Sequence, residues 1–205
     1  VPRPLVLASA SPRRAELLLG AGLEFTVRPV DCDETWRPGE DRDPVAYVER
    51  VAAAKAEAAA HLDELEPGAL ILAADTTVWL GEAGEPLAKP RDREHAAEML
   101  RALTRGRPHR VSTACAFARA GGGTSGVIAS LVETTAVYMR ALSDAQFQAF
   151  IGPYLDAAAW SDKAGAYAIQ GRAAALVERI EGSYTAVVGL PLAQVVAKLE
   201  ELQTP

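Results

Sequence analysis

Apolar and polar positions along this chain mark out strands and helices in turn. Leu5-Val6-Leu7-Ala8 is a short apolar run that breaks into Ser9-Ala10-Ser11-Pro12-Arg13-Arg14 and resumes as Ala15-Glu16-Leu17-Leu18-Leu19, which predicts strand, tight loop and helix. Gly20 and Gly22 close that helix, and Phe25 to Val30 predicts a second strand leading into the acidic loop Asp31-Cys32-Asp33-Glu34. Asp43-Pro44 pairs an N-cap with proline at the first helical position and starts a long Ala-rich helix to about Leu62. Ala69-Leu70-Ile71-Leu72-Ala73-Ala74 is continuously apolar, the signature of a strand buried on both faces, and it stops at Asp75. Thr77 to Leu80 predicts a further strand and Gly81 to Gly84 a turn. Asp92 caps a helix to about Leu103, stopped by Arg105-Gly106. His109 to Arg119 and Val127 to Arg140 flank a glycine-rich stretch, Gly121 to Gly126, and predict a long antiparallel hairpin with a mobile tip. Ser143 caps a helix to Ile151, and a loop from Gly182 to Leu190 leads into a last helix from Pro191 to near Leu202. Parallel strands early and a long antiparallel hairpin in the middle predict an α/β fold, a mixed twisted sheet with flanking helices.

Composition narrows the classes. With 205 residues, 49% of them hydrophobic, and no internal repeat or long linker, the chain is expected to form one domain over residues 1–205, with room for two lobes around a cleft. Lys and Arg number 21 against 27 Asp and Glu, so the net charge of −6 argues against a surface that coats nucleic acid. Cys32 and Cys115 are too few and too far apart for a disulfide framework or a Cys-x-x-Cys zinc site. The N-terminal apolar stretch is too short for a signal peptide, and no run reaches transmembrane length, so no membrane partner is expected and a cytoplasmic location is.

Candidate chemistry gathers at a few polar positions. Ser9, Ser11, Arg13 and Arg14 sit at the start of the first helix, where free N–H groups, two hydroxyls and two guanidiniums suit a polyphosphate; an ordinary capped helix with solvated arginines is the other reading. Lys55 falls inside the apolar stripe Val48, Val51, Ala52, Ala58, Ala59 and Leu62, either snorkelling to water or meeting an anion in a cleft. Asp75 ends a buried strand, where a carboxylate can ligate a metal or take a proton from water, or simply cap the next turn. Glu34 offers a second hard oxygen, and Lys89 is held extended by Pro90. In Asp162-Lys163-Ala164-Gly165-Ala166-Tyr167-Ala168-Ile169-Gln170-Gly171, small residues allow close backbone approach and the Gln170 amide suits a nucleobase edge; a turn with Gln170 in solvent is the alternative.

Taken in order, Ser9 to Arg14, Glu34, Lys55, Ala74-Asp75-Thr76, Lys89-Pro90, Asp162 to Tyr167, Ile169-Gln170-Gly171, Gly182-Ser183-Tyr184 and Val187 to Leu192 resemble the Maf family of nucleotide pyrophosphatases, related in fold to the inosine triphosphatase-like enzymes. The resemblance implies hydrolysis of a nucleoside triphosphate between the α and β phosphates with Mg²⁺ or Mn²⁺. It makes Asp75 the proton acceptor and a metal ligand with Glu34, and gives the triphosphate to Ser9, Ser11, Arg14, Lys55 and Lys89. The residues Arg13, Thr76 and Gln170 resemble the dTTP/UTP subgroup rather than the 7-methyl-GTP subgroup; a nucleotide-binding regulator of septum formation with little catalysis is the other implied role. The family commonly forms homodimers. Two positions depart from its pattern, Ala88 before Lys89 and Ala186 in the Ser-Tyr segment.

Overall fold

The computed structural model describes residues 3–39, 41–81, 84–121 and 126–203. Within them run β1 (Leu5–Leu7), α1 (Pro12–Gly20), β2 (Thr26–Val27), α2 (Pro44–Ala60), β3 (Leu70–Leu80), β4 (Pro86–Leu87), α3 (Arg93–Leu103), β5 (His109–Arg119), β6 (Ala129–Met139), α4 (Asp144–Asp156), β7 (Val177–Glu181), α5 (Tyr184–Val188) and α6 (Leu192–Gln203). The strands form one sheet in the order β2-β1-β3-β5-β6-β7, with β4 on β3. β1 is parallel to β2 and β3, and every other pairing is antiparallel, which is the mixed sheet with a long central hairpin that the sequence predicts.

β3 organises the molecule because it is paired along its whole length with β5, from Leu70 opposite Arg119 to Leu80 opposite His109. On its other edge β1 covers only Leu70 to Leu72 and β4 only Val78 and Trp79, so between them that edge is open. Strand alternation sends successive side chains to opposite faces. Ile71 and Ala73 pack with Val48, Ala52, Ala56 and Ala59 of α2, where alanines on both surfaces let the helix lie close to the sheet. Leu70, Leu72 and Ala74 pack the other way, with Leu18 of α1 and Val195 and Leu199 of α6. A third cluster, built on Val78, Val111 and Val137 with Leu100 and Leu103 of α3 and Phe147 and Ile151 of α4, fills the far end.

The caps read from sequence are present: Asp43 accepts from Ala46 N, Asp92 from His95 N, and Ser143 and Gln146 form a reciprocal capping box. Other expectations need correction. The second strand shrinks to Thr26–Val27, because only Val6 and Leu7 of β1 are there to pair with it. The strand ending at Asp75 and the one starting at Thr77 are a single β3, since β5 carries the ladder through the polar residues. α4 continues past Pro153 to Asp156, drawn in by the burial of Tyr154 and Leu155. β7, which precedes the expected loop, and the short α5 inside it have no apolar periodicity to announce them. The last helix starts at Leu192, one residue after Pro191. Part of the expected turn (82–83) and most of the glycine-rich tip (122–125) lie outside the described residues.

At the head of β5, His109 is fully buried, and its Nε2 lies 2.6 Å from the hydroxyl of Tyr167, whose ring meets the imidazole edge-on. No partner for Nδ1 exists among the described residues. Burial pushes the imidazole from 6.5 down to about 4, so it is neutral in the folded chain at neutral pH. Between those values the unfolded chain binds the extra proton, so this contribution is complete above about pH 6.5 and is lost as pH falls toward 4. Stability is therefore expected to drop by on the order of 3 kcal/mol across that window through this residue. His109→Gln, measured by urea denaturation from pH 4 to pH 7, is expected to flatten that share of the slope; an unchanged slope would contradict it.

Candidate active site

The alternation along β3 decides which chemistry each face receives. Asp75 continues the Ile71 and Ala73 face and meets α2, whereas Thr76 continues the opposite face and meets α1. Lys55 takes a position in the sheet-facing stripe of α2, between Ala52 and Ala59, and is buried with its ammonium 2.8 Å from Asp75 Oδ1. Glu34, from the segment between β2 and α2, reaches the same ammonium with Oε1 at 2.6 Å. Two carboxylates thus share one cation, and their chain origins are far apart.

The electrostatics follow from this burial. Loss of water disfavours a charged Lys55, but the two carboxylates outweigh it and hold the ammonium protonated. Burial also opposes ionisation of Glu34, yet the hydrogen bond and charge of Lys55 keep its carboxyl below the ordinary value. For the more deeply buried Asp75, desolvation wins and raises the carboxyl, with Lys55 and Arg14 offsetting only part. Asp75 is therefore a stronger base than a solvated aspartate, with Oδ2 unbound by any described residue.

On the other face Arg14, in the first turn of α1, is also buried. Its Nε donates to Gly189 O at 2.9 Å, Nη1 to Ser9 Oγ at 2.9 Å and Nη2 to Thr76 Oγ1 at 3.1 Å. Gly189 sits at φ 140, a backbone state that glycine permits, and so ends α5 with its carbonyl available to Arg14. Three of the five guanidinium N–H groups are spent within the protein, which leaves two. Ser9 Oγ accepts from both Arg14 and Ser11 N, so its own O–H remains as a donor. Ser11 occupies the N-cap of α1 and Pro12 its first turn, but the Ser11 side chain makes no capping bond, unlike the ordinary capped helix that was one reading of these residues. With Ser9 Oγ accepting from both Arg14 and Ser11 N, the loop is held by its neighbours rather than by that hydroxyl.

Thr76 belongs to a chain with a fixed direction. Thr113 Oγ1 donates to Ala186 O at 2.8 Å, so its single proton is used and the 2.9 Å bond to Thr76 is donated by Thr76. The sequence of donors is Arg14, Thr76, Thr113, ending on the Ala186 carbonyl. Ala186 acts here through its backbone. The Thr76 hydroxyl is thereby committed to both neighbours.

Ser9, Ser11, Arg13, Arg14, Glu34, Lys55, Asp75, Thr76, Lys89 and Gln170 all line one cleft of about 680 Å³. Lys89 and Gln170 are exposed within it, and Arg13 faces Asp162 across 3.6 Å. Sequence reasoning missed Tyr47, Thr113 and the Gly189 carbonyl. Tyr47 was hidden as one aromatic in an alanine-rich helix, yet its hydroxyl donates to Glu34 O at 2.7 Å. The other two depend on register between distant segments. Cys32 and Cys115 are unpaired, and no helix among the described residues is long and apolar enough to cross a membrane.

An α/β sheet opened at one edge of its central strand, with cations, hydroxyls and paired carboxylates around the opening, defines a protein with a cleft for a small polyanion. A family model described as Maf-like protein matches residues 4–202, and the chain belongs to that family. It is 47% identical over 201 residues to a dTTP/UTP pyrophosphatase of Anaeromyxobacter dehalogenans, covering 98% of this chain and 95% of that one. Proteins of the same name from Geobacter sp. and Myxococcus xanthus are 47% and 48% identical, over 95% and 98% of this chain and 93% of each relative. Among solved structures, a HAM1 protein from Coxiella burnetii aligns over 97% of this chain and 99% of its own, at 19% identity and a TM-score of 0.47.

The directional chain makes Thr113 a hub. Thr113→Val leaves the buried Ala186 carbonyl without its donor and is expected to cost about 1–3 kcal/mol, read as a lower denaturation midpoint at unchanged slope. Thr113→Ser, which keeps the hydroxyl, is expected to recover most of it; equal losses in both variants would contradict the direction assigned.

Proposed function

We propose that this chain hydrolyses dTTP and UTP to the nucleoside monophosphate and pyrophosphate. The observation that carries the reading is the Lys55-bridged pair Glu34 and Asp75, set across one cleft from the Ser9 to Arg14 loop. Near-half identity over almost the whole chain to relatives named for that activity supports the choice of substrate.

In this reading the Ser9 hydroxyl and the N-terminal end of α1 face the triphosphate, with the two remaining Arg14 N–H groups and the Lys89 ammonium as cationic partners. Water attacks the α phosphorus, the bond from that phosphorus to the bridging oxygen breaks, and pyrophosphate leaves. Asp75 Oδ2 takes the proton of the attacking water, a task suited to a carboxyl raised by burial. Lys55 keeps Oδ1 turned away, so the other oxygen presents itself consistently.

Glu34 and Asp75 already converge on a cation, the Lys55 ammonium, and hard anionic oxygens so placed fit Mg²⁺ or Mn²⁺. No group of three acidic, histidine or cysteine side chains suited to a metal exists among the described residues, so Glu34 and Asp75 are the side chains that would hold such an ion. A divalent ion there supplies neutralisation of charge on the phosphate oxygens.

For the base, Gln170 is the reader: its amide has no partner among the described residues, and it donates to a carbonyl oxygen and accepts from the ring N–H of thymine or uracil. Arg13 borders the same space. Thr76 acts by setting Arg14. The cytoplasmic nucleotide pool is the place of action in this reading.

Pyrophosphate release is to be measured from dTTP, UTP, CTP, GTP, ITP and 7-methyl-GTP with Mg²⁺ or Mn²⁺. The expected result is preference for dTTP and UTP, with kcat reduced about 100- to 10,000-fold in Asp75→Asn while nucleotide binding persists. Absence of turnover of both pyrimidine nucleotides with either metal would overturn the assignment.

A further inference from the structure

Residues 28–43 contain no helix or strand among the described residues, yet Glu34 from this stretch must meet Lys55 within a hydrogen bond's length. An irregular segment of that length does not place a side chain by itself. α2 supplies the constraint. Tyr47 pins the Glu34 carbonyl, and Arg50, one turn later on the same helix, holds the carbonyls on either side: Nη2 donates to Thr35 O at 2.9 Å and Nη1 to Asp33 O at 3.5 Å.

The same guanidinium forks onto Asp41, Nε to Oδ1 at 2.7 Å and Nη2 to Oδ2 at 2.8 Å. Asp41 is only 5% exposed and also accepts from Arg37 N at 2.9 Å, while its own N–H donates back to Arg37 O at 2.9 Å. Glu34, by contrast, keeps 47% of its side chain exposed at the cleft. One end of the segment is therefore a buried anchor and the other a working end, and Arg50 bonds to both.

We propose that Arg50 is the positioning residue for Glu34, clamping the 33–41 segment onto α2 so that the Glu34 carboxylate stands against Lys55 and Asp75. The inference rests on the reading of Glu34 as a group that works in the pyrophosphatase site. Its chemistry is that of a planar fork with parallel donors, which an ammonium cannot reproduce. Arg50 does not itself line the cleft; it bonds the backbone on either side of Glu34 and lies over the ring of Tyr47, whose hydroxyl holds the Glu34 carbonyl.

The test combines kinetics with hydrogen exchange. Arg50→Lys and the isosteric Asp41→Asn are each made in the parent and in the Glu34→Ala background, and dTTP turnover is measured with Mn²⁺. In the parent each is expected to lower kcat/KM about 10- to 100-fold. In the Glu34→Ala background each is expected to cost no more than about twofold further, because the group it positions is gone. Independently, without nucleotide or metal, amides of residues 33–37 are expected to exchange at least about tenfold faster in both variants while those of β3 keep their parent rates. Losses that multiply in the double variants, or unchanged exchange at 33–37, overturn the proposal. Should the parent release no pyrophosphate from dTTP or UTP, the functional reading fails while the exchange comparison still decides the clamp.

Discussion

A buried ammonium between two carboxylates is the constraint around which this structure is arranged. Removing Lys55 and Asp75 from water costs several kcal/mol for each ion, and only close pairing recovers it. Lys55 meets that condition with contacts of 2.6 and 2.8 Å to groups on two different segments. The triad therefore ties together α2, β3 and the irregular stretch before α2. If the cation were absent, two acidic groups would face each other in a site where Asp75 already resists ionisation.

β3 makes the arrangement feasible because one strand serves both faces. Odd positions deliver Asp75 to the Lys55 side, and the next residue delivers Thr76 to the Arg14 side. Each face so acquires a buried cation, one paired with carboxylates and one with neutral oxygens from Ser9, Thr76 and Gly189. The gap between β1 and β4 on the β3 edge then opens these groups to a cleft. Ligands gather outside the ends of parallel strands, and here that end belongs to β1, which stops at Leu7 while β3 runs on. Catalytic geometry in this reading is a by-product of register: a shift by one residue would exchange the two faces.

Much of this was legible in the sequence where the signal was local. Asp43-Pro44, Asp92 and Ser143 announce helix starts because capping is decided within four residues. The apolar runs of β1 and the first half of β3 are visible because both faces are buried. Asp75-Thr76-Thr77 looked like a strand end because polar residues in a buried strand are unfavourable unless paired. Their partners, Lys55, Arg14 and Thr113, come from distant parts of the chain, and only the fold shows them. The same reason hides Arg50, whose value lies in bonds to Asp33, Thr35 and Asp41 across a loop without periodicity. Candidate site residues were easier to find than their supports, since a lysine in an apolar stripe is conspicuous and a threonine in a strand is not.

Lys55 holds two carboxylates in one site, and titration of the Asp75 and Glu34 carboxyl carbons by NMR, without nucleotide or metal, in the parent and in Lys55→Met, reads that pairing at its own atoms. In the parent, Asp75 is predicted to titrate above the ordinary aspartate value and Glu34 below the ordinary glutamate value. In Lys55→Met both midpoints are predicted to rise, because the cation that favours the charged forms has gone. Midpoints that stay where they were in the parent would contradict the account.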